Sequence, residues 1–175
     1  LVCLVGSEMC IRDRSIATGH KGKTALRAEC EGVEAHSALA PKGTNAIYLA
    51  CDLINEIRNI QNEIATNGIK DYDYDIPYTT LHVGKISGGI VLNIVPNKST
   101  VDFEIRNLAE DDPNKILNEL KNKISLLLKK INKKAPNANI KINITTTTNI
   151  TSIIITIQSQ FNSIIKKSLS RINIF

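Results

Sequence analysis

Three polar residues stand in surroundings that suit substrate binding or catalysis. His36 lies in "EAHSALAPKG", among small residues and a proline-glycine turn, with no catalytic partner or metal cluster beside it. Asn93 lies in "GGIVLNIVPN", and Arg106 comes near the end of "VDFEIRN". A planar arginine fork can bind a carboxylate through two parallel hydrogen bonds. The question is what these side chains bind, and together with which other groups.

Each of these residues also has a purely structural interpretation. A lone histidine is more often a surface side chain than a ligand, and Asn93 before "IVP" suits a turn. Arg106 follows two acidic residues on the polar side of its strand, where a cross-strand ion pair contributes about 0.2–1 kcal/mol. Gly88 and Gly89 would let a backbone approach a ligand closely, but a bulge or hinge explains them equally well.

The remaining histidines and the cysteines form no metal or disulfide pattern. His20 and His82 have no second ligand at helical or hairpin spacing, so we expect no metal site within this chain. The four cysteines include no C-x-x-C pair, which is typical of a protein from a reducing cytoplasm. Cys30 and Cys51 stand in strand-like and helix-like runs, so we expect both thiols to be buried.

The composition is that of a globular protein with an aliphatic core. The 175 residues are 42% hydrophobic, with no tryptophan and a net charge of +5. Basic residues concentrate in "LKNKISLLLKKINKK", where they form the solvent side of a helix, so we expect no nucleic-acid binding. The longest apolar run, "ITSIIITI", is far shorter than the ~20 residues of a membrane span, so we expect no membrane association.

Hydrophobic periodicity predicts six regular elements. Apolar and polar residues alternate in "KTALRAECEG", "YTTLHVGKISGG", "STVDFEIRN" and "ANIKINIT", which predicts four strands. Helical spacing after Thr44 or Asn45 as a cap predicts one helix, and Asp112 with Pro113 begins another. The order β-α-β-β-α-β predicts an α+β, ferredoxin-like two-layer sandwich, in which a four-stranded antiparallel sheet carries two helices on one face.

Both ends of the chain are extensions of this domain, which we place at residues 16–148. Residues 1–15, "LVCLVGSEMCIRDRS", lack the basic start and the cleavage site of a signal peptide. They resemble a translated cloning scar, so we expect them to be non-native. Residues 149–175 carry no turn pattern that completes a second domain. We expect them to be a linker or an incomplete return into a catalytic domain.

Four segments, in this order, resemble a known family. They are "GHKG" at 19–22, "EAHSALAPKGTNAI" around His36, "GGIVLNIVPN" around Asn93 and "VDFEIRN" around Arg106. Together they are similar to the lid, or dimerisation, domain of the di-zinc aminoacyl hydrolases, over about residues 16–145. The family includes acetylornithine deacetylases, desuccinylases, aminoacylases and carboxypeptidases. The stretch "DYDIPYTTLHVGKISGG" resembles the acetylornithine deacetylases in particular.

The resemblance implies a role for each candidate residue. The residue matching His36 crosses the dimer interface and stabilises the oxyanion of the tetrahedral intermediate in the neighbouring subunit. Residues matching Asn93 and Arg106 hold the substrate carboxylate and the reacting carbonyl, so we expect these two side chains to converge on one small molecule. Gly88 and Gly89 would admit the same substrate. The resemblance thus implies a homodimer, paired through its first helix and an edge strand, and an N-acyl amino acid substrate such as N-acetylornithine.

The resemblance also implies zinc, bound outside this chain. The family's ligands come from His-x-Asp, a paired "EE", a later acidic residue and a C-terminal histidine. This chain contains neither His-x-Asp nor "EE", and Glu8 does not fit the spacing of the later acidic ligand. We therefore expect a fragment of a zinc-dependent amidohydrolase that is inactive by itself.

Two alternatives stay open. The same lid occurs in succinyl-diaminopimelate desuccinylases, dipeptidases and carboxypeptidases, so the acyl group is not fixed. A stand-alone ferredoxin-like binding or oligomerisation module has the same order of elements. An RNA-recognition module would require exposed stacking aromatics, whereas Phe103 points with the apolar face of its strand.

Overall fold

The computed structural model describes residues 20–133 and 137–148, and this part of the chain contains six strands, two α-helices and one 3-10 helix. The elements are β1 (Lys23–Glu31), β2 (Ala35–His36), the 3-10 helix (Ser37–Lys42), α1 (Ala46–Asn67), β3 (Thr80–Gly88), β4 (Ile94–Val95), β5 (Lys98–Arg106), α2 (Pro113–Ile131) and β6 (Asn139–Thr148). Residues from Gly22 to Thr148 form one compact unit. The interpretations of residues 1–15 and 149–175 lie outside the described residues.

Four long strands form the predicted antiparallel sheet, in the order β3-β5-β1-β6. Every second residue of β1 and β5 is buried, as the alternation in the sequence predicts. The strand order makes β3 and β6 the two edges of the sheet. With the helices described next, this arrangement confirms the predicted α+β, ferredoxin-like fold.

Both helices begin at side-chain caps. Asn45, rather than Thr44, caps α1, because its Oδ1 accepts the backbone N–H groups of Ile47 and Tyr48. Asp112 caps α2 by accepting the N–H of Asn114, and Pro113 occupies the first helical position. The cap of α2 is therefore the predicted one.

One aliphatic core joins the inward side of the sheet to both helices. Its fully buried side chains come from β1, α1, β5 and α2, and the largest include Leu26, Leu53, Ile57, Ile105 and Leu120. Because α1 and α2 pack on the same cluster, they lie on one face of the sheet and leave the opposite face to polar residues.

The two cysteines that the structure describes differ in burial. Cys30 lies in the core on β1, and desolvation raises the pKa of its thiol to about 11, so the thiol stays protonated and inert near neutral pH. Cys51 is exposed on α1, so the expectation that both thiols are buried is wrong for Cys51. The buried stripe of α1 passes through its neighbours Ala50 and Leu53 instead.

Beyond the Glu31–Lys98 end of the sheet, the chain forms a second, smaller structure that the sequence did not predict. There β2 pairs with β4 in an antiparallel ladder of two residue pairs, and the 3-10 helix follows directly. A two-residue strand is too short to leave a periodic hydrophobic pattern. This small structure contains His36, and Asn93 directly precedes β4.

No helix in the described part of the chain combines the length and the apolar character that crossing a bilayer requires.

Candidate functional site

His36 is the last residue of β2 and the N-cap of the 3-10 helix, and its side chain is exposed. Its Nδ1 accepts the backbone N–H of Ala38 at 3.1 Å. A neutral imidazole whose Nδ1 accepts a hydrogen bond carries its proton on Nε2. The local backbone thus fixes the tautomer in which Nε2–H is a donor available to an external acceptor.

Asn93 lies beside His36. The ladder pairs His36 with Ile94, and the backbone N–H of Ser37 donates to the carbonyl oxygen of Asn93 at 2.9 Å. Both side chains are exposed. The structure therefore brings two of the predicted site residues together, although they are far apart in sequence.

Gly88 and Gly89 connect β3 to this region, and the local structure requires glycine at both positions. A Cβ at Gly88 would meet the Cβ of Ser99 at 2.6 Å, so a larger residue would push β3 away from β5. Gly89 has a φ of +77°, which disfavours other residues. Both glycines line a cavity of about 340 Å³ under the 88–96 loop, together with residues that include Ile94 and Thr100.

An apolar tip, defined here as Ile90, Val91 and Leu92, projects from the same loop. Ile90 is 96% exposed and Leu92 is 101% exposed, as if neither had any neighbour. Nearby Leu39 on the 3-10 helix is also exposed. This tip was not predicted from the sequence, although three consecutive aliphatic residues between two glycines and an asparagine were a usable signal.

Arg106 lies at the opposite end of the sheet. It is the last residue of β5, on the polar face, and its Nε donates to Glu104 at 3.0 Å. The other oxygen of Glu104 lies 3.8 Å from the ammonium of Lys23. The ion pair between Arg106 and Glu104 joins two residues of the same strand, whereas the structural interpretation from the sequence was a pair across strands.

A neighbouring pair on the same polar face is more tightly matched. Arg27 donates from Nε and from one terminal nitrogen to the two carboxylate oxygens of Asp102, at 2.7 and 2.9 Å. The hydrogen bond from Arg27 lowers the pKa of Asp102 below its ordinary range. The polar face of the sheet is thus a set of paired charges rather than a field of one sign.

A buried polar network closes the Arg106 end of the sheet. Thr79 is fully buried; its hydroxyl donates to Asp111 and accepts the backbone N–H of Leu108 at 3.0 Å. The side-chain amide of Asn107 donates to two backbone carbonyls of the following turn, and Asn107 and Gly22 exchange two backbone hydrogen bonds. This network was not predicted from the sequence, because its partners come from separate segments.

The two groups of candidate residues are therefore far apart within one chain. Thr100, which lines the same cavity as Gly88 and Gly89, is six strand residues from Arg106, a distance of roughly 20 Å. The expectation that Asn93 and Arg106 of one chain converge on a single small molecule is wrong. The physical reason is that β5 is an extended strand of nine residues, which separates what precedes it from what ends it.

The chain enters and leaves the sheet at the Arg106 end. Lys23 at the start of β1 pairs with Thr148 at the end of β6, and the adjacent Thr24 pairs with Ile105. His36 and Asn93 therefore lie at the end of the unit that is remote from both connections. Below, the Arg106 end is called the near end and the His36 end is called the far end.

The residues that the structure describes do not form a metal centre. Within residues 20–133 and 137–148, no three histidine, cysteine or carboxylate side chains come close enough together to hold an ion. The described residues therefore do not fit a zinc site.

Edge strand β3 and helix α1 offer a surface for a second subunit. Within the described part of the chain, β3 pairs with β5 alone, and all of its residues from Gly84 to Gly88 are exposed, including Ile86 at 48%. On α1, the neighbouring exposed side chains include Tyr48 at 69%. An edge strand with exposed apolar residues is a template for pairing with another chain.

Comparison with known proteins gives a consistent picture. The family described as "Peptidase dimerisation domain" matches residues 18–132. An acetylornithine deacetylase from Aliivibrio salmonicida is 29% identical over 121 residues, which cover 67% of this chain and 30% of that protein. A probable carboxypeptidase from Arthroderma gypseum is 28% identical over 101 residues, which cover 58% of this chain and 22% of that protein. The chain thus spans less than a third of the length of these relatives.

Two solved structures have a similar fold. An aminobenzoyl-glutamate utilization protein from Klebsiella pneumoniae aligns with a TM-score of 0.53 at 15% identity, over 74% of this chain and 29% of that one. A hydantoinase/carbamoylase family amidase from Burkholderia ambifaria aligns with a TM-score of 0.54 at 14% identity, over 75% and 29%. At these identities the likeness concerns the fold alone.

Proposed function

This chain belongs to the peptidase dimerisation domain family, and we propose that it dimerises a larger amidohydrolase and completes the active site of the partner subunit. The most favoured activity is removal of the acyl group from an N-acyl amino acid, with N-acetylornithine as the first candidate substrate. The alignment with an acetylornithine deacetylase over 67% of the chain supports that candidate. Zinc would be held by parts of the protein outside the described residues.

One observation carries the proposal: His36 and Asn93 lie together, exposed, at the end of the domain remote from both chain connections. Because these groups lie at the end opposite both chain connections, we expect them to contribute to a site on another subunit. Arg106 lies at the end where the chain enters and leaves, which suits a site in its own subunit. In a two-fold dimer, each active site would receive one end from each chain.

His36 would act as a hydrogen-bond donor to the substrate. When the amide carbonyl becomes tetrahedral, its oxygen gains negative charge, and the Nε2–H that the Ala38 contact fixes would donate to it. A donor that matches the charge of the transition state better than that of the substrate accelerates the chemical step. Asn93, adjacent on the ladder, would orient the same carbonyl or the acyl group beside it.

Arg106 would bind the substrate carboxylate in its own subunit. Its guanidinium already binds Glu104 in an arrangement that leaves it only partly exposed. A substrate carboxylate would share or replace that partner, and the planar fork favours a carboxylate over other anions. This assignment replaces the single-chain clamp that the sequence analysis predicted from Asn93 and Arg106.

The location we propose is the cytoplasm. The two cysteines that the structure describes, Cys30 and Cys51, are both free thiols, as is usual in a reducing compartment.

A panel of substrates tests the activity. The complete protein that contains this chain, supplied with zinc, is assayed with N-acetylornithine, N-succinyl-diaminopimelate and a dipeptide. The proposal expects the highest kcat/KM with N-acetylornithine, and a preference for the dipeptide would favour the carboxypeptidase alternative that the Arthroderma gypseum relative suggests. Hydrolysis of none of the three would contradict the proposed function.

Two measurements on the 175-residue chain alone complete the test. The proposal expects a dimer by sedimentation equilibrium and no turnover with added zinc. A monomer at every concentration, or turnover by the chain alone, would contradict the division of roles between this domain and the rest of the protein.

A further inference from the structure

A second groove lies on the side of the domain away from β3. It runs between α2 and edge strand β6, has a volume of about 670 Å³, and is called the α2–β6 groove below. The residues that line it are Lys121, Ile124, Ser125, Leu128, Lys129, Asn132, Lys133, Ile140 and Ile142. None of them belongs to the candidate site described above.

The floor of the groove is apolar, and hydrogen bonds hold the residues at one of its ends. Ile124, Leu128, Ile140 and Ile142 continue the core outward, and Ile142 is only partly buried. The side-chain amide of Asn132 exchanges two hydrogen bonds with the backbone of Ala138, at 3.0 and 3.2 Å. These hydrogen bonds join the end of α2 to the residue that precedes β6, so the groove is a built feature of this edge.

The rim of the groove is basic. Lys121, Ser125 and Lys129 follow one another at four-residue intervals, which places them in a line along one side of α2. Within the described residues, no carboxylate lies within ion-pair distance of Lys121, Lys129 or Lys133. Lysines in the last turn of a helix favour its dipole, but Lys121 lies more than two turns earlier, so the dipole does not account for it.

The strand beneath this rim is β6, the edge strand of the described sheet. Among the described residues, β6 pairs with β1 alone, and it is ten residues long. In an antiparallel pair, alternate residues direct their N–H and C=O groups away from the partner strand. Those groups on the outer side of β6 can pair with an added extended segment.

The spacing of the rim lysines matches an extended chain. Lys121 and Lys129 are separated by eight helical residues, or about 12 Å. Two side chains four residues apart on one face of a strand are separated by about 13 Å. Acidic residues at that interval in an added strand would therefore lie under the two lysines, with an apolar residue between them over Ile140 and Ile142.

We propose that the α2–β6 groove binds an extended acidic peptide segment. The segment adds a strand to β6 and places two glutamate or aspartate side chains, four residues apart in its sequence, under Lys121 and Lys129. The apolar floor and the open edge supply affinity, and the lysine line selects the charge of the segment. The partner is thus a protein with an exposed acidic, proline-free strand or tail.

A fluorescence-anisotropy titration of the full 175-residue chain tests this. The probe is a labelled ten-residue peptide with glutamate and valine alternating on one face and threonine on the other. We expect saturable micromolar binding that weakens at high salt, and at least about tenfold weaker binding when lysine replaces glutamate in the peptide. The double variant Lys121→Glu/Lys129→Glu should also bind the acidic probe at least about tenfold more weakly.

The matched control is Lys115→Glu/Lys130→Glu, which makes the same charge change at two exposed positions of α2 outside the groove. We expect its affinity to stay within about twofold of the parent. Amide hydrogen exchange supplies a second readout, since strand addition should protect alternate amides of β6 when the peptide is present.

Several results would overturn the proposal. They are no saturable binding, equal binding of the acidic and basic peptides, an equal loss of affinity in the groove and control variants, or binding without protection of β6 amides. Protection of the same amides before peptide is added would show that another part of this chain or a second copy occupies the edge, and would overturn it too.

Discussion

The two ends of the sheet differ in how their polar groups are used. At the near end, Thr79, Asp111 and Asn107 bind one another or the backbone, and Thr79 is fully buried. At the far end, His36 and Asn93 direct exposed side chains outward, and Leu92 is exposed without any cover. The near end thus has the features of a structural joint, and the far end has those of a surface that awaits a partner.

This difference indicates that the near end contributes to folding, whereas the far end is available for function. A buried hydroxyl with two partners contributes to folding whatever else the protein does. An exposed apolar tip beside an exposed histidine lowers the solubility of the isolated domain and adds nothing to its core. Another subunit that covers the far end would account for its exposed groups. Mutations at the near end should then mainly lower stability, and mutations at the far end should mainly lower activity.

The largest expected effect is on catalysis at the far end. In the complete protein, His36→Ala should lower kcat by about 10²–10³-fold, because it removes the side chain that we propose as a donor to the oxyanion. The free energy of unfolding should fall by about 1 kcal/mol or less, since only the cap of a short 3-10 helix is lost. Steady-state kinetics and urea denaturation measure the two quantities. His82→Ala, an exposed histidine on β3, is the control and should leave kcat unchanged.

The next effect is on stability at the near end. Thr79→Val should lower the free energy of unfolding by about 1–3 kcal/mol, because it removes the partner of a buried Leu108 N–H and of Asp111. Urea denaturation of the 175-residue chain measures it. Thr79→Ser keeps the hydroxyl and should recover part of the loss, whereas Thr80→Val, on the half-buried neighbour, should cost much less. Equal losses at positions 79 and 80 would show that the network does not matter.

A smaller effect on stability is expected in the 88–96 loop, which contains both the positive-φ residue Gly89 and the exposed apolar tip. Gly89→Ala should destabilise the chain by about 1 kcal/mol, because φ of +77° is unfavourable for alanine. Leu92→Ser, three residues away on the apolar tip, should change stability by less than about 0.5 kcal/mol. Denaturation midpoints of both variants check the pair. A larger loss for Leu92→Ser than for Gly89→Ala would mean that the tip packs on the domain.

The smallest effect concerns the paired charges of the open sheet face. Arg27 lowers the pKa of Asp102 below its ordinary value near 3.8, so the pair stabilises the fold above that pH and the contribution disappears as pH falls through the lowered pKa. Arg27→Gln should therefore be slightly less stable than the parent at pH 7, and the two should converge in acid. A difference between them that persists at the lowest pH would rule out this linkage.

The sheet and the helix caps were predictable because their signals are local. Alternation in "STVDFEIRN" identifies β5, and an asparagine or aspartate before a helical stripe identifies the caps at Asn45 and Asp112. The association of His36 with Asn93 depends on a two-residue ladder between distant segments, which leaves no such pattern. The same holds for Thr79 and Asp111, which meet only after β3 and β5 have paired.

The separation of Asn93 from Arg106 could have been predicted from the sequence. Once "STVDFEIRN" is assigned to a strand, its nine residues at about 3.3 Å each require its two ends to lie far apart. The expectation of a common substrate contact came from the family resemblance, which assigns His36 to the neighbouring subunit but does not state which chain supplies Asn93 and which supplies Arg106. Strand geometry corrects it and supports the two-chain site that we propose.

One mixing experiment tests this account most directly. The complete enzyme is prepared as His36→Ala and as Arg106→Ala, each almost inactive, and the two are dissociated, mixed in equal amounts and reassociated. If His36 serves the partner's site and Arg106 its own, a mixed dimer contains one intact site, and about a quarter of the parental activity should return. Mixing His36→Ala with Asn93→Ala should restore none, because both residues act from the same end. Recovery in the second mixture, or none in the first, would contradict the assignment of the two ends to different subunits.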